Sequence, residues 1–258
     1  MVIAALVGAI VWNVLTWWLG IPSSSSHALI GGILGAVCVE HGFEPIQMKG
    51  MEKVLIALFA SPIVGLVFGF VMQRAILRFL VVSGAGPGAN NFFRSGQFFT
   101  ACALALSHGT NDAQKTMGMI AMGLVATGFQ SEFAVPWWVI LISALAIGAG
   151  TAAGGWRLIK TLGFGFYKIW PIHAFTSQLA SASVILGAAL VGGPVSTTQV
   201  VSSVIVGAGA SENARKVRWQ VAGNIAVAWV LTIPAAGAVA AGSYFVVKFI
   251  MLLCGVQI

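Results

Sequence analysis

Long apolar runs, broken at intervals by short clusters of small and polar residues, fill most of the 258 positions. A bilayer core about 30 Å thick takes about 20 apolar helical residues to cross, and that length divides the chain. Residues 1–19 are long enough and end at Gly20-Ile21-Pro22-Ser23-Ser24-Ser25-Ser26-His27; the apolar stretch 28–39 that follows is too short to cross alone, so 1–39 reads as a re-entrant helical hairpin. Residues 53–78 form a full span containing Pro62 and Gly65, followed by a Gly- and Asn-rich loop, 81–95. The run 96–126 is too long for one straight crossing and is interrupted by Ser107-His108-Gly109-Thr110-Asn111-Asp112, which predicts a broken helix of two halves meeting at a polar break. A span over 134–155, a second hairpin over 172–210 turning at Gly193-Pro194-Val195-Ser196-Thr197-Thr198-Gln199, and a span over 219–254 kinked at Pro234 complete the pattern.

The pattern repeats. An offset of 172 positions takes Gly20 to Gly192, Pro22 to Pro194, Ser24, Ser25 and Ser26 to Ser196, Thr197 and Thr198, Gly35 to Gly207, Pro62 to Pro234 and Gly65 to Gly237. One register held across prolines, glycines and a hydroxyl cluster marks a duplication. The offset puts the counterpart of 96–126 before residue 1, so a first repeat, 1–80, is expected to be shortened relative to a second, 96–258, either because the sequence is a fragment of a longer protein or because a homo-oligomer or a complementing chain supplies the remainder.

Composition and charge fix the setting. Hydrophobic residues make up 59% of the chain, charged residues only 7%, and mean hydropathy is +0.97, whereas a soluble domain carries about 25% charged residues. A water-soluble globule is excluded. Residues 1–19 lack the basic start and small-residue cleavage site of a signal peptide and read as part of the membrane domain. The net charge of +7 comes from basic residues grouped at 74–94, 157–168 and 211–218, where the positive-inside rule places cytosolic loops; it carries no nucleic-acid signal. Segments 40–53 and 128–133 then lie outside, which requires 172–210 to enter and leave by the same side. The segment after the first hairpin, 40–53, has net charge −1 and its counterpart 211–218 has +2, so the two copies point in opposite directions. The expected architecture is an all-α polytopic protein of the cell (inner or plasma) membrane, an inverted-repeat secondary transporter with re-entrant hairpins and broken helices surrounded by lipid. Cys38, Cys102 and Cys254 lie far apart in apolar surroundings and read as packing residues; the pairs Trp17-Trp18 and Trp137-Trp138 read as interfacial anchors. Gly84-Ala85-Gly86-Pro87-Gly88 has neither the Lys-Ser/Thr nor the strand of a phosphate loop.

Three groups could carry chemistry. Ser23, Ser24, Ser25 and Ser26, and again Ser196, Thr197 and Thr198, stand where short helices begin; the unpaired N–H groups and hydroxyls of such starts suit a small anion. Asp112 is the one acidic residue deep in an apolar segment, where a carboxylate costs several kcal/mol unless paired, protonated or bound to a cation. With Asn111 and Thr110 beside it, it is a candidate coupling-ion site, while an ion pair with Lys115 on the same helix face is the purely structural reading. His27, His108, Lys115 and Gln199 are candidates for proton or anion contacts. No metal-ligand cluster or resident cofactor is expected.

The run Ser107-His108-Gly109-Thr110-Asn111-Asp112-Ala113-Gln114-Lys115-Thr116-Met117-Gly118 closely resembles the signature of the inorganic phosphate transporter (PiT) family, and the two hydroxyl-rich turns are similar to its hairpin motifs, in wording closest to bacterial low-affinity phosphate permeases. The resemblance implies symport of inorganic phosphate, driven by protons in bacterial members and by sodium in other branches, with neutral complexes of phosphate and divalent metal as cargo in bacteria. It further implies that Asn111 and Asp112 help form the cation and phosphate site and that residues 24–26 and 196–198 line the phosphate. Gln199 stands where many relatives carry histidine. Two rival readings are an intramembrane hydrolase using a hydroxyl from 23–26 with His27 or His108 as base, against which the duplication of the cluster argues, and a symporter of another oxyanion such as sulfate.

Overall fold

The regular elements are helical, and their ends are set by caps and turns more than by composition. The computed structural model of the chain describes residues 1–84, 86, 88–190, 192–193 and 195–253; Ala85 and Pro87 of the glycine-rich loop, Val191, Pro194 of the second hydroxyl cluster, and 254–258 with Cys254 lie outside the described residues. In chain order come α1 (Val2–Trp18), α2 (Ser25–His41), α3 (Met48–Val82), α4 (Gly88–Ala126), α5 (Trp137–Gly154), α6 (Trp156–Phe164), α7 (Pro171–Leu190), α8 (Thr197–Asn213) and α9 (Trp219–Leu253), with one 3-10 turn at Ala214–Lys216.

The duplication extends to backbone detail. Ser24 caps α2 by accepting the His27 N–H at 3.3 Å, and Ser196 caps α8 by accepting the Gln199 N–H at 3.4 Å. Each turn opens with a glycine in the left-handed region, Gly20 at φ 70° and Gly192 at φ 68°, which a residue with a Cβ rarely adopts. Helices α1 and α2 run antiparallel, with Gly32 against Ala5 and Ala28 in one cluster with Ala9. Helices α7 and α8 form the matching hairpin. The hairpins are seated crosswise: α2 packs on α9, and α8 on α3. Both seats are built on bare backbone, since a Cβ on Gly35 would overlap the Gly237 carbonyl and one on Gly207 the Leu66 carbonyl.

Helices α3, α5, α7 and α9 are each long and apolar enough to cross a membrane. Pro62 and Pro234 lie at matching places inside α3 and α9. Helix α4 packs along α7 through a Thr100 hydroxyl donating to Gln178 at 2.6 Å and an edge-on Phe93–Phe175 pair with centroids 5.3 Å apart.

Four expectations need correction. The broken helix over 96–126 is a single unbroken helix, α4, of 39 residues. Ser107 and Thr110 return their hydroxyls to the carbonyls of Ala103 and Leu106, so the polar run satisfies itself on its own helix instead of interrupting it. Because α3 runs to Val82 and α4 starts at Gly88, residues 81–82 and 88–95 of the expected loop are helical, Asn90, Asn91 and Arg94 among them. The basic segment 157–168, expected as loop, contains α6. The second arm of the first hairpin is 17 residues long because Ser25 starts it and Glu40 and His41 continue it.

Candidate functional site

The polar side chains that the membrane setting makes costly converge where the two hairpin turns meet the middle of α4. Asp112 is the hub. Its Oδ2 accepts the Thr197 hydroxyl at 3.0 Å and lies 3.0 Å from His108 Nε2; its Oδ1 accepts from Asn111 Nδ2 at 3.1 Å and from Lys115 Nζ at 3.2 Å. His108, Asp112 and Lys115 share one face of α4 by the i, i+3, i+4 spacing. Thr197 comes from the first turn of α8. Lys115 Nζ also donates to Ser26 Oγ on α2 at 2.6 Å and to the Val195 carbonyl at 3.1 Å. The Asp112–Lys115 pair expected as the structural reading is therefore present, and it is also the joint between both hairpins.

Beside this hub lies a cavity of about 710 Å³, whose wall includes Ser23, Ser25, Ser26, His108, Asp112, Lys115, Thr116 and Thr198. A separate groove of about 580 Å³ between α3 and α7 is almost wholly apolar and includes none of the candidate residues.

The remaining candidates divide. Ser23 shares a 2.6 Å hydrogen bond with Thr16, Ser25 faces the cavity, and Asn111 is buried and reaches Val195 as well as Asp112. Ser24 and Ser196 are buried caps, their hydroxyls already engaged by backbone N–H groups. Thr110 does not join the cavity wall: its exposed side chain bonds back to the Leu106 and Ser107 carbonyls. His27 and Gln199, at the same position of the two repeats, are buried outside the cavity wall, with His27 Nδ1 and both polar atoms of the Gln199 side chain lacking a hydrogen-bond partner among the described residues. The third position of each hairpin helix faces the neighbouring helices while the second faces the cavity.

Two polar assemblies had no sequence signal. The first ties the turn of the first hairpin to the α5–α6 corner. Trp17 Nε1 donates to the Gly154 carbonyl at 2.6 Å, Arg157 donates to the Trp18 carbonyl and lies over the Trp17 ring at 5.3 Å, and Thr161 Oγ1 donates to the Gly20 carbonyl at 2.7 Å. Trp17 thus ties two segments together, and Arg157 is more than a loop charge; its cation sits at the C-terminal end of α1, where the helix dipole favours it. The second joins α7, α8 and α3, where Glu212 Oε1 lies 2.7 Å from His173 Nε2 and accepts from Gln73 Nε2 at 2.9 Å. The Tyr167 ring stands edge-on to His173, and burial, with the Glu212 charge, holds its phenol above the usual range.

The sequence profile of the phosphate transporter family matches residues 1–240. The chain belongs to that family. A probable low-affinity inorganic phosphate transporter of Bacillus subtilis is 42% identical over 250 residues, covering 96% of this chain and 75% of the relative. One of Rhizobium meliloti is 44% identical, over 95% of this chain and 73% of its own; one of Mycobacterium leprae is 45% identical, over 97% of this chain and 61% of its own. Among solved structures, one described as the sodium-dependent phosphate transporter superposes with a TM-score of 0.81 at 21% identity, covering 96% of this chain and 79% of that one, and shares the fold. Membership places the chain among multi-pass membrane transporters and sets aside the hydrolase reading.

Proposed function

We propose that the chain carries inorganic phosphate across the cell membrane as a proton-driven symporter, taking phosphate, free or as a neutral divalent-metal complex, in the cavity between the two hairpin starts and Asp112. The observation that carries this reading is the convergence of Thr197, Asn111, His108 and Lys115 on the Asp112 carboxylate beside Ser25, Ser26 and Thr198. Hydroxyls and first-turn N–H groups of two helices supply anion donors without a net charge of their own. Because Asp112 is already paired with Lys115, the wall carries no spare positive charge for an anion, which favours arrival of phosphate together with a proton or cation that offsets its charge. The matching caps and turns and the crosswise seating of the hairpins support an inverted pair of repeats, 1–80 and 96–258, that exposes the cavity to each side in turn.

The test is uptake of radiolabelled phosphate by a host lacking its own phosphate transporters. Uptake is expected to collapse with a protonophore, to be competed by arsenate and not by sulfate, and to be lost in Asp112→Asn. Undiminished, still-coupled uptake by Asp112→Asn overturns the role given to that carboxylate, and competition by sulfate overturns the choice of anion.

A further inference from the structure

The Lys115 side chain is bound as a cation is bound by a receptor. Its ammonium has three N–H donors, and three oxygens take them: the Ser26 hydroxyl at 2.6 Å, the Val195 carbonyl at 3.1 Å and the Asp112 carboxylate at 3.2 Å. The oxygens come from the first hairpin, the second hairpin and α4 in turn. One hydroxyl, one carbonyl and one carboxylate converging on a point is a hard-oxygen set of the kind that takes small metal cations. All three donors are spent on the protein, so in this arrangement the ammonium has none left for an anion in the cavity. Its charge cancels that of Asp112 at the contact nearest the cavity.

We infer that Lys115 is a built-in cation: its ammonium occupies an oxygen cradle that would otherwise accept a monovalent metal ion such as sodium, and phosphate binding here therefore needs no alkali cation. The inference rests on the proposal that the adjoining cavity takes phosphate, but the cradle itself can be tested without phosphate. Removing the ammonium leaves Ser26 Oγ, the Val195 carbonyl and the Asp112 carboxylate around a vacated point. It also leaves Asp112 facing an incoming anion with like charge, which disfavours both. A small cation from solution then restores what the lysine supplied. A lysine acting as a direct phosphate ligand makes the opposite forecast, because sodium cannot replace a hydrogen-bond donor to the anion.

The experiment compares the purified wild-type chain, Lys115→Ala and the double variant Asp112→Asn/Lys115→Ala in sodium, lithium, potassium and choline chloride at equal ionic strength. Thermal unfolding is recorded without phosphate, and phosphate uptake is then measured in proteoliposomes. The wild type is expected to melt and transport alike in sodium and choline. Lys115→Ala is expected to gain a sodium- or lithium-dependent rise in melting temperature. Its uptake in choline should fall by about tenfold, the scale of one lost contact to a charged group, and recover in sodium. The double variant should lose the cation response. Wild-type uptake that depends on sodium, or a Lys115→Ala melt indifferent to every alkali cation, overturns the inference. Should Lys115→Ala fail to fold, Lys115→Gln carries the same forecast. Absence of phosphate uptake by the wild type would instead strike the proposed substrate, while the phosphate-free melts still decide the cradle.

Discussion

Gly35→Ala tests whether the seating of the first hairpin sets the geometry of the site. A Cβ at Gly35 would overlap the carbonyl oxygen of Gly237 and lie 2.6 Å from its carbonyl carbon and 2.7 Å from its Cα, against ordinary contact from about 3.4 Å, so α2 and α9 must part by at least about 0.8 Å. Both sides of the contact are backbone, so no side chain can swing away. Overpacking of this kind costs about 1–3 kcal/mol, partly offset by the better helix propensity of alanine, about 1 kcal/mol. Gly148→Ala is the control, because a Cβ there meets nothing within 4 Å and only the propensity gain applies. The two variants should therefore differ by about 1–3 kcal/mol, or about 2–12 °C in melting temperature on the scaling for chains of this size. The same 0.8 Å shift is enough to stretch the 2.6 Å Ser26–Lys115 contact towards the limit of a hydrogen bond, so phosphate uptake should fall in Gly35→Ala and not in Gly148→Ala. Thermal unfolding in detergent and uptake in proteoliposomes give the two readouts. A Gly35→Ala protein that melts with the control refutes the close approach of α2 and α9, and one that melts lower yet transports normally refutes the link from seat to site.

Two further outcomes follow from the assemblies away from Asp112. Arg157→Ala, made with Thr161→Val, removes two of the three ties on the turn of the first hairpin and should raise the rate at which a cysteine placed at Ile21 reacts with a water-soluble maleimide; an unchanged rate argues against the tie. Glu212→Ala strands the buried His173 ring and Gln73, and because the Glu212 side chain is 37% exposed the loss is set at about 1–2 kcal/mol, read as a melting temperature lowered by about 2–8 °C; a melt indistinguishable from wild type removes the pair from the stability account.

The hairpins were legible because their signals are local. A glycine followed by proline and hydroxyls stops one helix and starts the next, and a fixed offset repeats the signal at Ser24 and Ser196. Asp112 was legible because a carboxylate at that depth demands partners, and Lys115 and His108 stand at helical spacing from it. The break in α4 was misread because hydroxyl and amide side chains look alike whether they interrupt a helix or fold back on it. Ser107 and Thr110 fold back, and nothing in their identity distinguishes the cases. The burial of His27 and Gln199 was not legible: residues adjacent in a helix start point about 100° apart, so the second residue meets the cavity and the third meets the neighbouring helices. Arg157 and Thr161 gave no signal because their acceptors are the carbonyls of Trp18 and Gly20, which every residue type carries.

The distribution of ties also bears on how the cavity can open. The second hairpin is joined to α4 by the Thr197–Asp112, Lys115–Val195 and Asn111–Val195 contacts, whereas the first hairpin meets the same hub through Ser26–Lys115. The first hairpin is held separately to the α5–α6 corner by Trp17, Arg157 and Thr161. A hydrogen bond to a charged group contributes about 1.5–3 kcal/mol, so parting the first hairpin from α4 breaks one such bond while parting the second breaks at least two. Separation at Ser26 costs least, and it leaves Asp112, Lys115, Thr197 and Val195 assembled. Under the proposed alternating access, the charges that compensate one another would stay together as the wall of the cavity moves, and that movement would produce no unpaired carboxylate or ammonium inside the membrane.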